Sequence, residues 1–350
     1  MSELEALLSK HGDRLEDFWG RRENAPRFSR EIVLFGRLFR FSSNHAGVLT
    51  AVDECAPLYS LAPPSAEPPF AVQLVARGGP IPPGPPPEEL FDHIRYVGEG
   101  AWLSLQLGRW GHGHVDMAAG SAIAVLEPEL AARPDIVARC LLNTVITNLF
   151  IGNGYAMLHA SCLVRAGRAL LLMAPHNSGK STTALRLAMA GYRLLSDSMV
   201  FLAPGSAQLL GFPVGRAKLR RDMVAEFPQL EPLLAVEYVR AERKYAVDLR
   251  GIDPGWVHEG AAQPQAIELA LLSRGERQET IVWPATRAEV MDAVMGNSLF
   301  YDSSAIWRRN LQAIAALVDR AHWHHLAIGS SAQGIVKAVD DLWATPGAGP

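Results

Sequence analysis

Residues 168–192 read RALLLMAPHNSGKSTTALRLAMAGY. The opening RALLLM is an apolar run of strand length, and TTALRLAMAGY repeats its apolar residues as an amphipathic helix does, to about residue 190 with Gly191 past its end. Between them the chain follows the phosphate-loop pattern G-x-x-x-x-G-K-[ST], except that Ala174 stands where the first glycine is usual. Such a loop holds phosphate because successive backbone N–H groups point into one cavity at a helix N-terminus, where the helix dipole also favours an anion. Gly179 lets the backbone approach the phosphates, Lys180 reaches the β and γ oxygens, and the Ser181 hydroxyl ligates Mg²⁺. An alanine at the first position costs about 1 kcal/mol if its backbone needs a positive φ, and nothing otherwise. The competing reading of SGKST is a capped helix start and no more; the combination of motif, preceding strand and following helix favours nucleotide. The segment therefore predicts ATP and Mg²⁺ held by Ala174, Asn177, Ser178, Gly179, Lys180, Ser181 and Thr182.

Upstream, YAMLHASCLVRAG (155–167) places His159 at the end of one strand, followed by a hairpin that turns near Gly167 into the strand of the loop. Downstream, YRLLSDSMVFLA (192–203) places Asp197 where a buried strand gives way to a turn, and continues as a strand pair or one long strand. The order LHA, hairpin, GRALLL, GKST, a helix ending in GY, then LLSD before an apolar strand resembles the catalytic domain of HPr kinase/phosphorylase and the looser group of HPr-kinase-related proteins. The resemblance is close over about 150–205 and extends in outline over the rest of the C-terminal half. It implies a P-loop kinase fold in which Asp197 takes the proton from a substrate hydroxyl, His159 orients the phosphates or the base, and Lys180 completes the catalytic set. Ser181 and Asp197 are the implied metal ligands. Independently of any family, phosphoryl transfer needs mainly positioning and charge neutralisation, so one lysine, Mg²⁺ and one proton acceptor suffice.

Family members usually carry paired aspartates at the second site, whereas Asp197 is followed here by Ser198, so one metal contact is missing or replaced by a hydroxyl. The glycine-rich signature of the bifunctional enzyme is also missing: DLRGIDPG (248–255) shares only Arg250 and Gly251 with it, which argues against reverse phosphorolysis. In GFPVGRAKLRRD (211–222), Arg216, Lys218 and Arg220 either offer a cation to the transferring phosphoryl group or form a solvated surface. The expected function is an ATP-dependent kinase acting on a hydroxyl of a protein, peptide or small molecule. The alternative is a nucleotide-binding regulatory or scaffold protein of the same fold without transfer.

Working outward, 350 residues of which 49% are hydrophobic and 20% charged are enough for two lobes. A net charge of −3 without a long Lys/Arg run excludes nucleic acid as the expected partner. MSELEALLSKHGDRLEDFWGRR (1–22) has the pattern of a charged amphipathic helix without an apolar signal core, and no stretch approaches the roughly 20 apolar residues of a membrane span. These features predict a cytoplasmic protein with no membrane partner, and leave homo-oligomerisation open. The three cysteines Cys55, Cys140 and Cys162 form no C-x-x-C pair and are read as buried free thiols.

The N-terminal part carries strand-like runs at EIVLFGRLFRFSS (31–43), AVQLVAR (71–77), IRYVGEG (94–100), AWLSLQLG (101–108) and SAIAVLEP (121–128). Proline-dense LAPPSAEPPF (61–70) and RGGPIPPGPPPEEL (77–90) read as surface loops, because proline cannot donate to an interior ladder. At RPDIVARCLLNTVITNLFIGNG (133–154) the period becomes helical. The tail reads as a helix (305–321), a strand at HWHHLAIG (322–329) and a last helix (331–344). The expectation is a mixed α/β protein, with a mostly β lobe over 1–130 and an HPr-kinase-like nucleotide-binding catalytic domain over 131–350. Three further patterns receive bland readings: His112, His114 and Asp116 in HGHVD lack a fourth metal ligand, HWHH is too crowded for zinc, and Cys162 is a buried thiol rather than a nucleophile. SLFYDSSAIWRR (298–309) either lines a substrate groove or packs the last part of the chain.

Overall fold

The computed structural model describes residues 25–79, 87–175, 178–239, 242–275, 278–297 and 303–344. The opening helix expected over 1–22 and the SLFYD part of the aromatic-bearing segment lie outside the described residues. The chain divides into two compact units. One comprises Met1–Val33, Arg37–Ala56 and Ala66–Leu149, and the other Leu34–Gly36, Pro57–Ser65 and Phe150–Pro350. This division falls later than residue 130 because the helical run Pro134–Gly152 belongs with the first unit as far as Leu149.

The first unit holds strands β1 (Phe28–Leu34), β2 (Arg37–Ser43), β3 (Phe70–Ala76), β4 (Ile94–Glu99), β5 (Trp102–Leu107), β6 (Gly111–Asp116) and β7 (Ser121–Leu126). They form one sheet in the order β1-β2-β3-β7-β6-β5-β4, parallel across β2-β3-β7 and antiparallel from β7 to β4. Alternation is clear in β2, where Phe39 and Phe41 are buried while Arg40 between them is exposed, as the two-residue period of a strand requires. Pro134–Gly152 corrects one expectation: at 19 residues it is long and apolar enough to cross a membrane by length and composition. It is 72% buried inside the protein, the environment of a core helix. Its apolar surround also explains Cys140, whose thiol burial pushes up to about 12.

The second unit holds β8 (Ala156–Leu158), β9 (Ser161–Arg165), β10 (Arg168–Met173), β11 (Arg193–Ser196), β12 (Met199–Leu202), β13 (Leu209–Phe212), β14 (Arg216–Leu219), β15 (Ala235–Val239), β16 (Glu242–Asp248), β17 (Ala266–Arg274), β18 (Ile281–Pro284) and β19 (His322–Ile328). Its main sheet runs β11-β9-β10-β17-β19-β18, with two three-stranded sheets, β13-β12-β8 and β14-β16-β15, beside it. The strands β10, β17 and β19 are parallel, and β9 and β18 antiparallel to their neighbours.

Helices cover both faces of this sheet, which is why β10 reads as an unbroken apolar run rather than an alternating one. Leu170 and Leu172 pack with Ala184, Leu185, Leu187 and Ala188 of the helix Lys180–Met189, and with Ile335 and Val339 of the helix Ala332–Ala344. The intervening residues Ala169, Leu171 and Met173 pack on the other face with Val290 and Val294 of the helix Arg287–Asn297, and with Ile314 and Leu317 of the helix Ser304–Val318. Each fully buried leucine in such a core contributes about 1.5–3 kcal/mol relative to exposure. The result is the mixed α/β architecture expected from the sequence.

Candidate functional site

The loop leaves the carboxyl end of β10, which lies between β9 and β17. From that point the chain passes through the helix Lys180–Met189 to β11, on the β9 side of the sheet, whereas the parallel neighbour β17 lies on the other side. A parallel sheet whose connections diverge in this way leaves a crevice outside the strand ends, where ligands of such sheets bind.

Ala174 is 4% exposed, packs in the core with Leu172 and Ala184, and has no left-handed φ. The alanine is therefore unstrained, and its methyl group contributes to the core. Pro175 follows, its carbonyl accepting a hydrogen bond from the Ser178 hydroxyl at 2.8 Å. Asn177 lies outside the described residues. Gly179 has φ +94° and caps the helix, its carbonyl accepting from Thr183 N–H at 2.9 Å. A Cβ at Gly179 would stand 2.9 Å from Ile328 Cδ1, a side-chain end that can shift, so it is the backbone conformation that requires glycine. Beyond it, the first N–H groups of a helix have no intrahelical partner and face the loop's mouth. Lys180, Ser181 and Thr182 are half-buried there.

Asp197 follows β11, which pairs antiparallel with β9 through an irregularity between Leu194 and Ser196. Since β9 is antiparallel to β10, with Ser161 opposite Leu172, the end of β11 and the start of β9 lie at the same sheet edge as the phosphate loop. Asp197 is 5% exposed and fully partnered. Its Oδ1 accepts from the Ser161 hydroxyl at 2.9 Å and its Oδ2 from the backbone N–H of Lys218 at 3.1 Å, and the Ser181 side chain of the loop is among the groups that lower its pKa. Burial pushes the Asp197 carboxyl above the ordinary range, while those hydrogen bonds and the Lys180 charge draw it back. Burial likewise lowers the Lys180 ammonium to about 8, against the pull of Asp197. A loop lysine, a loop hydroxyl and a buried carboxylate thus form one connected group. Its donors toward a metal are a hydroxyl and a carboxylate, the hard oxygen ligands that suit Mg²⁺.

His159 lies between β8 and β9, exposed, just ahead of Ser161 and so at the same sheet edge. Of the cations expected after Asp197, Arg220 is paired with Asp222 at 3.0 Å and Arg216 stands opposite Asp248 in the β14-β16 ladder. Arg250 forks onto Asp248, at 2.9 Å through Nε and 2.6 Å through a terminal nitrogen. Lys218 contributes its backbone N–H to the site.

Sequence reasoning missed Ser161, which nothing in a strand-start serine distinguishes, and Arg274 with Ile328, which sit about a hundred residues or more from the motif and meet it only through parallel pairing of β17 and β19. The other patterns resolve as structure. Among the described residues no group of three or more His, Cys, Asp or Glu side chains is placed to hold a metal. Asp116 Oδ1 accepts from the N–H groups of Ala118 and Ala119, capping a turn, and His114 bonds the Ser104 hydroxyl at 3.0 Å. In HWHH, His322 and His324 bind the buried Glu268, and His325 stacks on Trp283. Cys162 is fully buried, and burial pushes its thiol up out of nucleophilic range.

No family model and no curated protein matches the chain. Among solved structures, the Hpr(Ser) kinase/phosphatase from Coxiella burnetii is similar over 54% of this chain and 96% of that one, at 12% identity and a TM-score of 0.27. At that score the likeness carries no weight for the chemistry of this chain, which stands on its own residues.

Proposed function

We propose that this chain is an ATP-dependent phosphotransferase that moves the γ-phosphoryl group of ATP onto the hydroxyl of a protein, peptide or small molecule. The observation that carries the reading is the buried Asp197 carboxylate, which follows β11 at the same end of the sheet as the phosphate loop and whose pKa is acted on by Ser181 and Lys180 of that loop. The loop's N–H groups and Lys180 bind the β- and γ-phosphates. Ser181 and Asp197 would hold Mg²⁺, which would supply charge neutralisation for the phosphates. Asp197, its basicity raised by burial, accepts the proton of the incoming hydroxyl as that oxygen bonds to the γ-phosphorus. The bond from the γ-phosphorus to the bridging oxygen breaks, and its electron pair leaves with ADP. His159, at the same edge, orients the phosphates.

One observation favours a second reading, a nucleotide-binding regulatory protein without transfer: Ser198 stands after Asp197 where a second carboxylate would strengthen metal binding, and its N–H is turned onto Ser196 Oγ at 3.2 Å. Thermal denaturation with Mg·ATP tests the shared premise. ATP binding to the native state alone raises the melting temperature by mass action, and Lys180→Ala loses most of that shift. Equal shifts in both proteins would remove nucleotide from the site. Label transfer from γ-labelled ATP then separates the two readings, since a nucleotide bound but never transferred supports the second.

A further inference from the structure

The strand β17 is in register with β10 up to Met173, which stands opposite Leu271, and then runs on past the point where β10 ends. Its last residue, Arg274, pairs with Ile328 of β19, and the two flank the phosphate loop. Arg274 Nε lies 4.0 Å from where a Cβ on Gly179 would stand, a position that the Ile328 Cδ1 methyl approaches to 2.9 Å. The guanidinium is exposed and makes no hydrogen bond or ion pair among the described residues. Its charge registers on Asp222, which is held below the ordinary range first by a hydrogen bond from Arg220 and only last by Arg274. An uncommitted guanidinium at the rim of a loop made for phosphate is suited to an anion, which it grips with a planar fork of donors.

We propose that Arg274 contacts the terminal phosphate of the nucleotide bound at the loop, serving as an arginine supplied in cis that stabilises charge on the transferring phosphoryl group. The proposal rests on the nucleotide reading above. Lys180 and the helix N-terminus lie at the base of the loop, so they serve the β- and γ-phosphates together. Arg274 reaches the loop from the neighbouring strand at Gly179, and the contact proposed for it is with the third phosphate. An arginine acting in this way is worth on the order of 10³-fold or more in transfer rate.

Affinities for Mg·ATP and Mg·ADP, measured by titration calorimetry on the full chain for wild type, Arg274→Ala, Arg274→Lys and Lys180→Ala, test this assignment. Arg274→Ala weakens ATP about 10-fold or more while leaving ADP within about 2-fold; Arg274→Lys recovers part of the ATP loss because the charge returns without the fork. Lys180→Ala weakens both nucleotides. If Lys180→Ala acts on both but Arg274→Ala changes ATP and ADP alike, or neither, the assignment of Arg274 is overturned while the nucleotide site stands. If none of the variants changes either affinity, nucleotide does not bind at this loop and both readings fall. Because Arg274 is exposed, its variants fold, and an unchanged melting temperature without nucleotide confirms that the comparison is between native proteins.

Discussion

Ser161 Oγ lies 2.9 Å from Asp197 Oδ1 and 3.2 Å from the Asp197 backbone carbonyl oxygen, with both residues buried at the start of β9 and the end of β11. One hydroxyl thus fixes both the side chain and the main chain of the acid. Ser161 touches no reacting atom in the proposed mechanism, so it is a positioning residue.

Ser161→Ala therefore slows single-turnover transfer by roughly 10-fold to 10²-fold while ATP affinity stays within a few-fold. The lost hydrogen bond was lowering the Asp197 pKa, so its removal raises that pKa further and moves the acid limb of the rate profile to higher pH. A merely structural role would lower stability, by about 1–3 kcal/mol for the buried partner left behind, without moving the limb. Rate–pH profiles of the two proteins distinguish these outcomes.

Lys180 titrates near 8 in the free protein because burial disfavours its charge. Bound phosphate favours the charged form and raises the pKa, so ATP binds the protonated lysine. Affinity for Mg·ATP falls as pH rises through about 8, and binding just above that pH takes up a proton. Calorimetry in buffers of different ionisation enthalpy reads the uptake directly; Lys180→Ala abolishes it, and an uptake that survives that change assigns the proton elsewhere.

Ala174 and Gly179 mark opposite requirements in one loop. Ala174→Gly leaves ATP affinity within about 1 kcal/mol, since the wild-type backbone needs no positive φ there, and lowers stability slightly by removing a packed methyl group. Gly179→Ala strains the backbone at φ +94° while displacing the Ile328 Cδ1 methyl only slightly, and weakens nucleotide binding. A several-kcal/mol gain in affinity on Ala174→Gly would show that the native loop is not in binding geometry.

Glu268, 2% exposed, stands near the start of β17, at the opposite end of the strand from Arg274. Burial alone would raise its carboxyl, but hydrogen bonds from His324 and Arg168 and the charge of His322 outweigh it and hold the pKa below the ordinary value. A depressed carboxylate stabilises the fold fully above its unfolded pKa of about 4.3, and that stability is lost as pH falls through the lower folded value. Wild type therefore loses stability steeply below about pH 4.5. Glu268→Gln is less stable at neutral pH, because it takes the carboxylate away from Arg168, and its melting temperature depends less on pH in that acid window. An equally steep acid transition in the variant would place the titration in other groups.

The strand–turn–helix frame of the loop and the strand end before Asp197 were legible because local sequence dictates them: an apolar strand, Gly179-Lys180-Ser181 and an amphipathic helix are contiguous, and LLSD marks a strand end. The two covering layers were legible in the unbroken apolar run of β10. What was not legible arises from pairing distant in the chain. The register of β17 and β19 brings Arg274 and Ile328 to Gly179, and β14 brings the Lys218 N–H to Asp197. No periodicity encodes such meetings. Likewise Arg220 reads as a spare cation in sequence but is engaged by Asp222, a local pairing that competes with any ligand.

Asp197→Asn, followed by Mg·ATP affinity and by single-turnover loss of label from γ-labelled ATP across a magnesium series, tests the central claim most directly, with water standing in for the unidentified hydroxyl. A base acts on the incoming nucleophile rather than on bound nucleotide. Asparagine keeps an oxygen that can ligate Mg²⁺ but cannot take the proton, so ATP affinity stays within a few-fold while transfer slows by roughly 10²-fold to 10⁴-fold at every magnesium concentration. If Asp197 serves only as a metal ligand, affinity falls and added Mg²⁺ partly restores the rate. A transfer rate equal to that of the wild type throughout the series would contradict the account and remove Asp197 from the chemistry.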